Sequence, residues 1–62
     1  MGKPVKEGQI IDLEIKEISR RGDGIARVDN FVIFVKGAQT GEKVKTKIVK
    51  VMNSFAIGVA IR

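Results

Sequence analysis

From Gln9 onward, the apolar residues of this chain recur at every second position, and no segment carries convincing helical periodicity. Ile11, Leu13 and Ile15 alternate with Asp12, Glu14 and Lys16. Val44, Thr46 and Ile48 alternate with Lys43, Lys45 and Lys47. Near the C-terminus large residues alternate with small ones: Phe55, Ile57, Val59 and Ile61 against Ala56, Gly58 and Ala60. A period of two belongs to a strand with one face buried, because successive side chains point to opposite sides of a sheet.

Five strands are predicted, over residues 9–18, 25–29, 31–36, 43–51 and 55–61. Ile18 falls out of phase with its predecessors, which predicts a bulge or the strand's end there. Between the strands lie a turn at 19–24, a two-residue hairpin at Asp29-Asn30, a glycine-containing loop at 36–42 and a turn at Met52-Asn53-Ser54. Asp and Asn tolerate the left-handed backbone that a tight hairpin requires. The glycines of the 19–24 turn can take positive φ.

An antiparallel meander of strands this short cannot bury its apolar residues while flat. Curling into a barrel removes the edges and creates an interior. The expected fold is therefore all-β: a small five-stranded antiparallel β-barrel, OB-like or SH3-like, in one domain over residues 1–62. Residues 1–8 are mostly polar and are expected to form a partly ordered lead-in. Ala56, Gly58 and Ala60 fit a place where the wall bends or another backbone comes close.

Composition excludes several functions. The chain has no cysteine and no histidine, so disulfides, thiolate metal sites and histidine-based acid–base catalysis are all ruled out. Asp12, Glu14 and Glu17 read as the solvated face of the first strand. Gly22-x-Gly24 is too short for a phosphate-cradling loop. No catalytic residue, metal site or cofactor is expected, and no enzyme activity. No apolar run approaches the length of a membrane helix, which predicts a soluble cytoplasmic protein without a membrane partner.

Charge points to a partner. Residues 1–31 carry six bases and six acids, whereas residues 32–62 carry six bases and one acid, so the whole net charge of +5 belongs to the second half. Such asymmetry suits a polyanion, with plain solubilisation as the alternative.

The segment Ser19–Gly37, SRRGDGIARVDNFVIFVKG, concentrates the candidate site. It holds two of the three phenylalanines, Phe31 and Phe34, beside Arg20, Arg21 and Arg27. Flat rings stack on unpaired bases while cations neutralise phosphate, a combination suited to single-stranded nucleic acid. Spaced three apart, the two rings fall on opposite faces of an ideal strand, but barrel twist or the hairpin edge could expose both. Exposure is expected for Phe31. Phe34 and Phe55 stay open between core and platform, Phe55 sharing its parity with Ile57 and Val59. Arg27 faces outward between Ala26 and Val28, where its guanidinium can pair with phosphate and stack on a base, unless it merely pairs with Asp29 or Glu14. Lys43, Lys45 and Lys47 form a like-charged stripe that a phosphate backbone would relieve, or that protects an edge from aggregation.

In its ordered features the chain resembles the TRAM domain, a small β-barrel RNA-binding module of tRNA-modifying enzymes and of free-standing archaeal proteins. The features are Gly22-Asp23-Gly24, the strand Ile25 to Val28, Phe31 and Phe34, the loop Gly37-Ala38 with Gly41-Glu42, and the basic strand Lys43 to Lys50. With the strand from Gln9 to Ile18 ahead of them, the resemblance covers roughly residues 5–62. Lys36 departs from the family's usual proline before the glycine, which removes a backbone restraint and adds a cation suited to phosphate. The resemblance implies RNA binding. Free-standing members look like archaeal counterparts of cold-shock proteins, which loosen misfolded RNA without ATP. No modification activity is carried over. The expectation is a monomeric RNA chaperone acting on single-stranded or locally unpaired RNA, with tRNA and other structured RNAs both plausible. It would bind through Arg20, Arg21, Arg27, Phe31, Phe34, Lys36, Lys43, Lys45, Lys47 and Phe55. The competing class is a protein-interaction barrel docking on ribosomal or RNA-modification machinery.

Overall fold

The computed structural model describes residues 3–61. Among them are six strands and no helix: β1 (Ile10–Glu14), β2 (Glu17–Ile18), β3 (Gly24–Val28), β4 (Phe31–Lys36), β5 (Lys43–Val51) and β6 (Phe55–Ala60). The expected all-β barrel-like class holds. The first predicted strand divides in two at Ile15-Lys16, close to where Ile18 signalled a break.

That division closes the fold. The sheet runs in the order β1-β5-β6-β4-β3-β2, so β1 and β2 are its two edges, yet only two residues of chain join them. One bent strand therefore passes from one edge of the curled sheet to the other. Ile15 at the bend is 1% exposed and plugs the interior, while the Lys16 N–H donates to the Ile25 carbonyl at 2.9 Å and extends the β2–β3 ladder.

The antiparallel meander is corrected. Strands β4 and β6 pair in parallel, from Val32 opposite Phe55 to Lys36 opposite Val59. The chain leaves β4 through residues 37–42, crosses to β5 beside β1, and returns as β6 into the gap. Parallel neighbours need such a crossover. The connecting loop is pinned by local chemistry: Gly37 and Gly41 adopt positive φ, and Ala38 is buried. The Gly41 N–H donates to the Ile15 carbonyl and the Ile15 N–H to the Glu42 carbonyl, both at 2.8 Å.

The hairpin forms as expected, with Asp29 and Asn30 at φ of 50° and 68°. The lead-in contributes more than its polar composition implied. Val5 lies in the core, and the Gly8 N–H donates to the Ile48 carbonyl at 2.6 Å; residues 1 and 2 lie outside the described part. The core is mostly aliphatic, with Leu13, Ile15, Ile33, Val35, Val44 and Ile48 among its buried members. Gly58 explains the small residues of β6. A Cβ there would lie 2.5 Å from Thr46 Cγ2 and 3.1 Å from the Lys47 carbonyl oxygen, so only hydrogen allows β5 and β6 to approach this closely.

Candidate nucleic-acid interface

Strand β6 turns its small residues inward. Ala56 and Gly58 are buried, which forces Phe55, Ile57 and Val59 onto the outer face. The parity that seemed to place Phe55 in the core is thus reversed by the close approach of β5. On β4 the inner set is Phe31, Ile33 and Val35, leaving Val32, Phe34 and Lys36 outside. Phe31, expected as an exposed platform, is 7% exposed and belongs to the core. The hairpin edge does not tilt it outward, because its alternation with Ile33 and Val35 persists to the start of the strand.

The cross-strand register lays out the outer face. One row runs Glu17, Ile25, Phe34, Ile57, Lys50; a second runs Arg27, Val32, Phe55; a third runs Lys36, Val59, Lys47, Ile10. Phe34 and Phe55 meet edge to face, with ring centroids 5.7 Å apart and planes at 77°. Each ring is half-buried, offering part of its surface to solvent. A half-open cleft of about 280 Å³ lies against them, lined by Arg21, Asp23, Phe34, Lys36, Phe55 and Ile57. Exposed Val59 continues the apolar strip beyond the cleft.

The basic residues divide into two groups. Lys43 lies opposite Glu14 and Lys45 opposite Asp12 in the β1–β5 register, so these two lysines have carboxylates as cross-strand neighbours. Lys47 instead lies between Ile10 and Val59, and Lys50 lies beside Ile57. Lys50 was not singled out from the sequence, because strict alternation assigns it to the inner face. The register shift between Ile48 and Lys50 turns it outward beside the platform. Arg27 is exposed, faces outward beside Val32, and forms no ion pair among the described residues, where Lys16–Glu14 at 3.3 Å is the pair found. Arg20 is exposed in the 19–24 turn and does not line the cleft.

The turn that carries Arg21 and Asp23 is closed at both ends. The Ser19 N–H donates to the Asp23 carbonyl at 2.8 Å, the Gly22 N–H to the Ser19 carbonyl at 2.9 Å, and the Asp23 N–H to Ser19 Oγ at 3.2 Å. Gly22 has a φ of 91°, in the left-handed region that other residues enter at a cost. Gly24 serves a different end. Its φ is not positive, and a Cβ there would lie 3.0 Å from Ile15 Cγ2 and 3.1 Å from Ala38 Cβ. The GDG sequence thus presses the chain onto the core with one glycine, turns it with the other, and holds Asp23 among the residues that line the cleft. Among the described residues no group of acidic side chains is arranged to hold a metal ion, and no helix is long and apolar enough to cross a membrane.

Comparison with known proteins gives this surface a setting. The family model of the TRAM domain matches residues 4–61. An uncharacterised protein of Methanocaldococcus jannaschii is 51% identical over 53 residues, which is 86% of this chain and 69% of that protein. An uncharacterised RNA methyltransferase of Clostridium acetobutylicum is 49% identical over 55 residues, 89% of this chain but 12% of the enzyme. The chain thus spans a small fraction of that methyltransferase and about two thirds of the archaeal protein. The solution structure of a conserved protein from Methanococcus maripaludis superposes with a TM-score of 0.93 at 34% identity, covering 98% of this chain and 87% of that one.

Proposed function

Since the chain belongs to the TRAM domain family, we propose that it binds single-stranded or locally unpaired RNA across the outer face of β3, β4 and β6. The observation that carries this reading is the inverted packing of β6, which places Phe55, Ile57 and Val59 outside beside Phe34 and ringed by cations. Apolar side chains gathered on an outer face are a surface that bases can cover by stacking. Bases extruded from structure would lie on Phe34 and Phe55. Arg21, Arg27, Lys36, Lys47 and Lys50 would gather the phosphates around them.

A chaperone activity follows from that preference. A protein that binds unpaired RNA better than paired RNA shifts the folding equilibrium by its differential affinity, with no energy source required. The methyltransferase activity named for the Clostridium relative belongs to a protein of which this chain matches 12%, and it is not carried over. The competing reading, a barrel docking on an acidic protein, draws support from the same cations but leaves the ring pair unexplained.

The test is an electrophoretic shift with unstructured and hairpin RNA at two salt concentrations, together with a weak fluorophore–quencher hairpin. Tighter binding to the unstructured RNA, weakening with salt, and stoichiometric opening of the hairpin without ATP are expected. Equal affinity for paired and unpaired RNA would refute the single-strand preference. A hairpin closed under saturating protein would remove the chaperone activity.

A further inference from the structure

The Asp23 side chain is out of place in an electropositive RNA surface. It lines the cleft beside Phe34 and Phe55, is half-buried, and its carboxylate makes no hydrogen bond or ion pair among the described residues. A carboxylate there repels phosphate, so its presence needs a different partner. An ionised carboxylate only accepts hydrogen bonds, through two oxygens side by side. The ligand that matches it presents two adjacent N–H donors on a flat ring that can also sit against phenylalanine.

Resting on the proposal that unpaired bases stack on this face, we propose that the cleft is a guanine-selective subsite, with Asp23 accepting from N1–H and the N2 amino group of one extruded guanine. Guanine carries both donors on its Watson–Crick edge, an edge that single-stranded RNA leaves free to be read. Uracil offers one N–H. Adenine and cytosine offer an amino group next to a ring nitrogen acceptor, which faces the second carboxylate oxygen without a hydrogen bond. The cleft, about 280 Å³, lies just under the range of roughly 300–1,000 Å³ typical of drug-sized ligands and has room for a base. Arg21 and Lys36, which line the same cleft, would meet the phosphates on either side of that nucleotide.

The backbone holds the carboxylate ready. Because the Ser19–Asp23 turn is closed by three hydrogen bonds, the position of Asp23 is set before RNA arrives. A preorganised acceptor discriminates more sharply than a mobile one, since binding need not order it.

The experiment measures fluorescence anisotropy with short oligouridine RNAs carrying one central guanosine, adenosine, cytidine or inosine, at fixed salt. Inosine keeps N1–H and lacks the N2 amino group, so it deletes half of the proposed contact without touching the protein. The guanosine oligomer should bind about five- to a hundred-fold tighter than the adenosine and cytidine oligomers, with inosine between. Asp23→Asn should abolish that preference while binding plain oligouridine as tightly as the parent chain or more so, because a negative charge has left the surface. Equal affinity for guanosine and inosine, or a guanosine preference that survives in D23N, overturns the subsite. Equal binding of all four oligomers overturns the subsite alone. Failure of every oligomer to bind overturns both the subsite and the RNA-binding reading beneath it.

Discussion

Replacing Phe31 and Phe55 separately by alanine should produce opposite phenotypes from the same chemical change. Phe31 is 7% exposed, on the inner face of β4, with Ile33 and Val35 as its neighbours in phase. Truncating a buried phenylalanine costs about 3–5 kcal/mol, the lost transfer energy plus the cavity left behind. A domain of this length has a total stability of only about 3–9 kcal/mol, at the usual ~0.05–0.15 kcal/mol per residue. At about 4–8 °C per kcal/mol, Phe31→Ala should lower Tm by at least about 12 °C, and it will leave much of the protein unfolded if the parent stability is at the low end. Phe55 is half-buried on the outer face, and its defined partner is the Phe34 ring at 5.7 Å. Losing an edge-to-face pair costs about 0.5–1.5 kcal/mol beyond the area the half-buried ring covers, so Phe55→Ala should lower Tm by clearly less than Phe31→Ala does. Its RNA affinity should fall by about 1–3 kcal/mol, roughly five- to 150-fold, for the lost stacking platform. Thermal melts by circular dichroism, beside anisotropy titrations of an unstructured RNA below each variant's melting range, separate the two. A Phe55→Ala variant with parent-like affinity, or a stable Phe31→Ala variant with weakened RNA binding, would refute the assignment of faces.

Further outcomes follow from the same geometry. If Arg21, Arg27, Lys36, Lys47 and Lys50 each meet a phosphate, log affinity should fall with log salt at a slope of about −3.5, and Lys47→Ala or Lys50→Ala should flatten it by about 0.7. Lys43→Ala and Lys45→Ala should leave the slope nearly unchanged, because Glu14 and Asp12 already face those lysines; equal effects at all four positions would count against the division. Gly58→Ala should destabilise the fold by about 1–3 kcal/mol, since the new methyl meets Thr46 Cγ2 at 2.5 Å; an unchanged urea midpoint would contradict the packing. Asn30→Val should cost about 1–2 kcal/mol because a β-branched residue resists φ of 68°, and the loss should appear in the urea midpoint with the slope m unaltered.

Strand periodicity made most of the fold legible. The alternation along 43–48 located the inward set of β5, and Asp29-Asn30 located the hairpin, because both are local effects of side-chain parity and backbone sterics. Strand order was not legible. A hairpin, a loop and a second hairpin suggest a meander, and the parallel β4–β6 pair arises from a six-residue loop whose route is fixed by bonds to Ile15, distant in sequence. The candidate site was partly visible. Arg27 faces outward as expected, Phe34, left open between core and platform, lies on the outer face, and Arg21 and Lys36 line the cleft beside it. Phe31 was misplaced because proximity to arginines in sequence says nothing about which face a strand residue takes. Ile57 and Val59 were passed over because large apolar residues default to the core. The signal that could have revealed them is the run Ala56, Gly58, Ala60: when the small members of an alternating strand face a close neighbour, the large ones must face out. Lys50 was hidden by a bulge, which no parity rule anticipates.

RNA contact should fall on the outer face of β3, β4 and β6. An NMR titration of the ¹⁵N-labelled protein with a short unstructured guanosine-containing RNA would map it residue by residue. The amides of residues 21–24, 32–36, 47–50 and 55–59 should shift together and saturate at one RNA per site, while those of Asp12, Glu14, Lys43 and Lys45 stay near their free positions. Shifts concentrated on the β1 edge and the 43–45 segment, with the Phe34 and Phe55 amides unmoved, would contradict it.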